Sequence, residues 1–221
     1  MKKKIFGFAI AVILASAASA QGIRLNVYGN YVFDDKVDSY YSNTNYFNGT
    51  IKGGFLWGGG LEFRLKEYYG LELMYLRLDT HAPMTYQDGI SSVKTANLKL
   101  GANYILVNGV RSIPTHNPKV DPFGGLGLGM SIVNAENPNS GKTGNATKFA
   151  WDLRLGVNFW ASEKIGIKIQ TMLLSVPQGA GGGLYFGTGG VGAGVTTYSS
   201  IYQFVLGGGL VFKLGSAGGH K

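Results

Sequence analysis

Hydrophobic and polar residues alternate along most of the chain, with the two-residue period that is typical of β-strands. The alternation is clearest from Phe149 to Phe159, where every second residue is large and apolar. The same period predicts eight strands, near residues 23–33, 51–65, 69–79, 94–106, 121–133, 149–159, 164–174 and 200–214. The strand near 69–79 is the least regular, because Leu76 and Leu78 share a face with Glu72. A bulge or a register shift there is therefore an open alternative.

The connections between these strands differ in length. Short turns are expected near residues 66–68 and 161–163, whereas the connections near 34–50, 81–93, 134–146 and the glycine-rich 175–199 are long. Short turns on one side and long loops on the other are typical of an all-β, eight-stranded antiparallel up-and-down barrel that spans a membrane. The connection at 107–119 departs from this pattern, since it is long where a short turn is expected.

The size of the residues on each strand face indicates which face points outward. A soluble barrel or sandwich would bury the bulky face, whereas a transmembrane barrel exposes it to lipid and keeps small and charged residues inside. Here one face is bulky and aromatic, and the opposite face carries glycine, alanine and asparagine among charged side chains. Aromatic residues near the strand ends resemble an interfacial girdle, although a soluble aromatic core is the alternative. We therefore predict a lumenal charge network of Arg24, Glu62, Arg64, Glu72, Lys99, Asp152, Arg154 and Lys168.

Two segments make this orientation specific. In Asp121–Met130 (DPFGGLGLGM), Leu126, Leu128 and Met130 are expected to face lipid, and the alternating glycines to leave room for charges in the lumen. Near 94–106, the residues expected to face lipid are Leu98, Leu100, Ala102 and Tyr104.

The amino terminus has the order of a secretory signal peptide: three lysines, an apolar run and small residues ending at Ala20. The predicted organisation is a cleaved signal at 1–20, a barrel at 21–214 and a short periplasmic tail at 215–221. Loss of the three lysines lowers the net charge from +8 to +5, and the remaining basic residues are scattered, which argues against a nucleic-acid partner. The chain has no cysteine, so neither a disulfide nor a lipoprotein anchor is expected.

The chain resembles the outer membrane protein β-barrel domain family, the small porin-like group of OmpA- and OmpX-type barrels. The resemblance rests on the ASA–Gln21 signal end and the segments PFGGLGLG, AWDLRLGVNFWASEKIGIKIQ and YQFVLGGGLVFKL. It implies a location in the outer membrane of a Gram-negative cell, with outer-membrane lipid and the barrel assembly machinery as partners. Family members often end on the aromatic residue of the last strand, whereas GSAGGHK follows Leu214 here and leaves Phe212 as the assembly element.

Motifs for chemistry are weak. Ser140–Thr143 (SGKT) matches only the end of a phosphate-binding loop, since Glu136 stands where the first glycine is required. The three histidines have no metal-ligand spacing, so we expect no metal, cofactor or enzyme activity, with a hydrolase at the barrel rim as the third alternative. A structural, envelope-integrity or surface-interaction role is the first hypothesis, and a narrow channel or small-molecule transporter is the second. The loop aromatics expected to make contacts with an unknown ligand or partner are Tyr40, Tyr41, Tyr46, Phe47, Tyr185 and Phe186.

Overall fold

A computed structural model of the chain describes residues 22–42, 45–88, 92–139, 141–177, 183–187, 190–194 and 201–215. Side chains at 37–42, 45–47, 86–88, 183–187, 190–194 and 215 are outside that description. The predicted signal peptide and all of the predicted tail after Gly215 also lie outside the described residues.

The described chain is built from antiparallel strands. They are β1 (Gly22–Val32), β2 (Asp35–Ser42), β3 (Asn45–Ile51), β4 (Gly54–Lys66), β5 (Tyr69–Asp88), β6 (Lys94–Ser112), β7 (Val120–Asn137), β8 (Lys142–Trp160), β9 (Ile165–Val176), β10 (Gly183–Gly187), β11 (Gly190–Gly194) and β12 (Ile201–Gly215). Within the described part, no helix is long and apolar enough to cross a membrane.

Eight of these strands close into a ring. The order around the ring is β1, β4, β5, β6, β7, β8, β9 and β12, and β12 pairs with β1 to close it. Closure gives every strand a hydrogen-bonding partner on both sides, so the ring has no free edge. These are the eight strands that the alternation predicts, and the predicted barrel is confirmed.

The two ends of the ring differ, and we name them after their connections. The turn end carries the tight connections between β4 and β5 and between β8 and β9, together with the longer β6–β7 connection. In that connection, the Ile113 N–H donates to the Pro122 carbonyl at 2.8 Å, and the Thr115 hydroxyl donates to the Val120 carbonyl at 2.6 Å. The connection predicted at 107–119 spans only residues 113–119 in the structure, because β6 continues to Ser112 and β7 begins at Val120. The loop end carries the long connections.

The irregular pairing near β5 lies in the neighbouring strand β4 and not in the predicted segment 69–79 of β5 itself. The β4–β5 register shifts between Arg64 and Lys66, next to the tight turn. In contrast, β5 pairs with β6 without interruption from Tyr69 to Tyr86. Leu76 and Leu78 therefore do point inward on the same face as Glu72, and the bulge considered for 69–79 is not required.

An apolar belt surrounds the ring at the turn end and the middle. Its outward residues are exposed and large, and they include Phe55, Trp57, Leu61, Tyr75, Ile105, Leu126, Leu128, Met130, Phe149, Leu153, Leu155, Ile167, Ile169, Phe204 and Leu206. On β8 the belt runs from Phe149 to Phe159, which matches the roughly 9 to 11 residues that a tilted transmembrane strand needs. The outward orientation predicted for Leu126, Leu128 and Met130 is confirmed.

Beyond the belt, at the loop end, only part of the ring continues. Pairing of β7 with β8 extends to Asn137 and Lys142, whereas β9 leaves β8 at Trp151 and β1 leaves β12 at Val32. The predicted loop at 34–50 instead folds as the antiparallel pair β2 and β3, and β3 adds to β5. We call the loop-end parts of β5 to β8, together with β2 and β3, the projecting wall. Along β7 it continues from the belt residue Met130 to Asn137, roughly 23 Å of strand at about 3.3 Å per residue.

Candidate functional site

Seven of the eight residues predicted to form the lumenal charge network lie inside the ring. Five of them have at most 2% exposure: Glu62, Glu72, Asp152, Arg154 and Lys168. The side chains of Arg24 and Arg64 are slightly more exposed, at 13% and 10%. They come from β1, β4, β5, β8 and β9, so the network joins strands that are far apart in sequence. The eighth residue, Lys99, lies on the outer side of the wall.

Glu72 lies at the centre of the network. Its Oε2 is paired with the Arg154 guanidinium, and both side chains have no solvent exposure. Its Oε1 accepts hydrogen bonds from Asn26 Nδ2 at 2.9 Å and from the Tyr28 hydroxyl. Arg154 Nη1 also donates to the Tyr28 oxygen at 3.1 Å. Further hydrogen bonds to the remaining groups are what make a buried ion pair tolerable. Here they serve Glu72 Oε1 and Arg154 Nη1, whereas Arg154 Nε has no hydrogen-bond partner among the described residues and lies 4.0 Å from Asp152 Oδ2.

A second cluster lies nearer the turn end. Glu62 Oε1 is 3.0 Å from Arg64 Nη1 and 3.7 Å from Arg24 Nη1, and Arg24 also contacts Asp121 at 3.0 Å. Lys213 Nζ lies 3.9 Å from the ring centroid of Trp160. Carboxylates, cations and an aromatic ring together fill this end of the interior.

Glycines on the inner face make room for these side chains. A Cβ added at Gly60 would overlap the Glu72 carboxylate, and one at Gly127 would overlap Asp152. At Gly125 the added atom would come within 3.0 Å of Arg154 Nε. The prediction that the glycines of DPFGGLGLGM leave space for lumenal charges is confirmed.

The interior of the loop-end half is apolar instead. Its buried residues form two adjoining clusters, which include Val32, Leu56, Met74, Leu76, Leu78, Leu106, Met172, Leu174 and Val205 in the first and Ile51, Ala82, Met84, Ala96, Leu98, Leu100 and Ala135 in the second. A few polar groups lie among them. The Tyr104 hydroxyl donates to Gln203 Oε1 at 3.0 Å, whereas the buried Ser131 and Ser175 hydroxyls have no hydrogen-bond partner among the described residues. The predicted inward face of small and charged residues therefore does not continue into this half.

The orientation predicted for β6 is reversed. Leu98, Leu100 and Tyr104 are buried inside, at 2%, 7% and 3% exposure, and Ala102 lies with them. Lys99 points outward, where its side chain is 57% exposed and its Nζ lies 3.5 Å from Glu136 Oε1. The physical reason is that this part of β6 lies beyond the belt. There the outer face meets water, so the polar residues face out and the apolar ones form a core.

The aromatic residues predicted as loop contacts lie on strands. Tyr40 and Tyr41 are in β2, Tyr46 and Phe47 in β3, and Tyr185 and Phe186 in β10. Their backbone belongs to the projecting wall and to the β10–β11 pair, which lies beside β8. Their side chains are outside the described part of the chain, so their role in contacts stays a prediction.

Among the described residues, no group of three or more histidine, aspartate or glutamate side chains is arranged to hold a metal ion. Of the partial phosphate-loop match at 140–143, Ser140 lies outside the described residues, Gly141 precedes β8 with a positive φ of 64°, and Lys142 and Thr143 begin β8. Its described residues therefore open a strand and not a helix. The predicted absence of an enzyme activity stays a prediction.

A ring of eight antiparallel strands with an apolar belt outside and paired charges inside is the architecture of an outer-membrane barrel. The model of the outer membrane protein β-barrel domain family matches residues 6–196. The chain belongs to this family. Its location is accordingly the outer membrane, as predicted, and the outward belt faces lipid. The turn end then faces the periplasm, and the projecting wall extends from the extracellular side of the membrane.

Solved structures agree with this fold. The chain is similar to the outer membrane protein OprG from Pseudomonas aeruginosa, with a TM-score of 0.57 and 12% identity over 90% of this chain and 98% of that one. It is also similar to Neisserial surface protein A, with a TM-score of 0.51 and 15% identity over 88% of this chain and 99% of that one. At such identities the likeness shows the fold alone. A search of curated protein sequences finds no significant match.

Proposed function

We propose that this barrel is a non-conducting anchor in the outer membrane and that its projecting wall makes contacts at the cell surface. One observation carries the proposal: β5 to β8 continue past the belt and recruit β2 and β3, whereas β1, β9 and β12 stop at or near the belt. Strand length beyond the membrane adds nothing to anchoring, so the wall is best explained as a presented surface. Under this proposal the partners are lipid, the assembly machinery and a surface ligand.

The filled interior supports the non-conducting part of the proposal. An eight-stranded barrel is only wide enough for side chains to fill its interior. Here Glu72, Arg154, Asp152 and Lys168 occupy the turn-end half, and Leu76 and Leu106 lie above them. We expect no ion conductance from the purified protein in planar bilayers. A steady, reproducible conductance would contradict this part.

The surface role can be tested by shortening the wall. We would replace residues 35–50 by a short glycine-containing turn and compare cell adhesion and cell-to-cell aggregation with those of the parent. We expect loss of adhesion, while the barrel still migrates as a compact species before boiling. A matched control shortens the β6–β7 connection at 113–119, which faces the periplasm and should leave adhesion unchanged. Full adhesion of the shortened wall would contradict the proposal.

Transport of small apolar molecules is the second candidate, because the loop-end interior is lined by leucine, methionine and valine. It predicts that cells expressing the barrel take up an apolar compound such as naphthalene faster than cells without it. Leu100→Asn should abolish that gain, whereas Leu128→Asn, on the lipid face, should not. Equal uptake with and without the barrel would leave this candidate without support.

A further inference from the structure

The outward surface changes character abruptly where the projecting wall leaves the belt. Across β5, β6, β7 and β8, one row of paired residues is apolar: Tyr75, Ile105, Met130 and Phe149. The next rows toward the loop end are polar or small for the most part: Arg77, Asn103, Ile132 and Thr147, then Asp79, Gly101, Asn134 and Asn145, then His81, Lys99, Glu136 and Thr143. The polar rows therefore lie at the level of the lipid headgroups of the outer leaflet.

These rows enclose a groove of about 450 Å³ on the outer face. Gly101 lies in its floor, where an added Cβ would come within 2.7 Å of Arg77 Nη2 and 3.3 Å of Asp79 Oδ1. One side of the groove is held in place by hydrogen bonds. Arg77 Nε donates to Asp79 Oδ2, and Arg77 Nη1 donates to Asn103 Oδ1, both at 3.0 Å. This side of the groove is preorganised without a ligand.

The other side offers groups that are free to bind. In the described part of the chain, the side chains of Thr143, Asn134 and Asn145 form no hydrogen bond. Lys99 and Glu136 are paired only at 3.5 Å and are about half exposed. Amides and carboxylates side by side suit a ligand whose groups both donate and accept, as sugar hydroxyls do. Two cations and two carboxylates also balance, so the groove is not built for a phosphate alone.

We propose that this groove binds the saccharide headgroup of a glycolipid in the outer leaflet. The position favours a lipid-borne sugar over a free one, since Ile105, Met130 and Phe149 lie directly below and would receive the acyl chains. The surface role proposed above is not required for this binding, because the groove lies at the base of the wall, just above the belt, and contacts made elsewhere on the wall do not alter it.

The test uses the purified barrel in detergent and rough-type lipopolysaccharide as the probe, with bound glycolipid measured by native mass spectrometry. The double variant Lys99→Ala/Asn134→Ala should bind about tenfold more weakly than the parent. Gly101→Leu, which fills the groove and removes no polar group, should lose binding to a similar extent. The matched control is Lys52→Ala/Asn48→Ala. Lys52 is also an exposed, paired lysine beyond the belt, but it lies away from the groove.

Two competition experiments identify the recognised chemistry. Phosphatidylglycerol, which carries a phosphate but no sugar, should not displace the glycolipid, and the free core oligosaccharide should displace it only at high concentration. Compact migration before boiling establishes that each variant is folded. Unchanged binding by folded Gly101→Leu, or equal displacement by phosphatidylglycerol, would overturn the proposal.

Discussion

The two halves of the barrel interior are built on opposite rules. At the turn end the outer face meets lipid, so bulky residues lie outside, and the inside holds paired charges with glycines between them. Beyond the belt the outer face meets water, so polar residues lie outside and leucines form a core within. Between these two regions, Leu76 and Leu106 face inward beside the lipid-facing Tyr75 and Ile105, so both faces are apolar there. One sheet thus behaves as a membrane barrel over part of its length and as a water-soluble sheet over the rest. What surrounds the strand decides whether its outer face is apolar or polar.

The largest effect is expected at the charged half. Arg154→Leu would leave Glu72 buried without its cation, and loss of one partner of a buried pair costs about 3–5 kcal/mol. We expect a correspondingly lower free energy of unfolding in urea, measured in lipid vesicles. The double variant Arg154→Leu/Glu72→Leu should recover most of the loss, because no charge is then left alone. Equal instability of the single and double variants would show that packing, not charge pairing, dominates this half.

A core substitution in the apolar half should cost less. Leu78→Ala removes a side chain that is 2% exposed and should lower the stability by about 2–4 kcal/mol. Leu128→Ala removes the same atoms from the lipid face, where lipid can fill the space, and should cost far less. Paired unfolding curves of the two variants test this directly. Equal losses would mean that the inside of this half is not a packed core.

Filling the space at a lumenal glycine should have a still smaller effect. A Cβ at Gly127 overlaps the Asp152 carboxylate, whose oxygens also face the Asn108 amide. Gly127→Ala should therefore destabilise the barrel by about 1–3 kcal/mol, as overpacking usually does. Gly109→Ala, where the added atom meets only a backbone oxygen 4.0 Å away, is the control. Similar stability of the two variants would contradict the assigned role of Gly127.

The smallest effect is expected at the base of the wall. Lys52 Nζ and the Gly53 N–H donate to Asp34 at 2.8 and 2.7 Å, and the bond from Lys52 most strongly lowers the pKa of Asp34. Because the pKa of Asp34 is lower in the folded state than in the unfolded state, its ionised carboxylate stabilises the fold at pH values above the unfolded pKa. That stability is lost as the pH falls through the folded pKa. Proteolysis within β2–β3 should therefore increase in acid, and Asp34→Asn should remove that dependence. If proteolysis of Asp34→Asn still increased in acid, a group other than Asp34 would be responsible for the pH dependence.

The alternation of residues predicts the ring strands and most of the lumenal charges, because every strand in the belt must present apolar residues to lipid and can hold polar ones only inside. The same rule was wrong for Lys99 and its neighbours, since the period of two shows that a strand has two unlike faces but not which one meets lipid. Leu76 and Leu78 beside Glu72 were the available sign that the interior becomes apolar toward the loop end. The β2–β3 pair was missed because its polar, aromatic sequence reads as a loop and is ordered as strands through its pairing with β5.

Single-cysteine labelling along β6 tests the central claim most directly, and the natural chain contains no cysteine to interfere. A membrane-impermeant maleimide should label Lys99→Cys and Asn97→Cys quickly in intact cells. Leu98→Cys and Leu100→Cys should be protected, and Ile105→Cys should react only with a lipid-soluble reagent. The reverse pattern, with 98 and 100 reactive in lipid and 99 protected, would contradict the division of the interior into two halves.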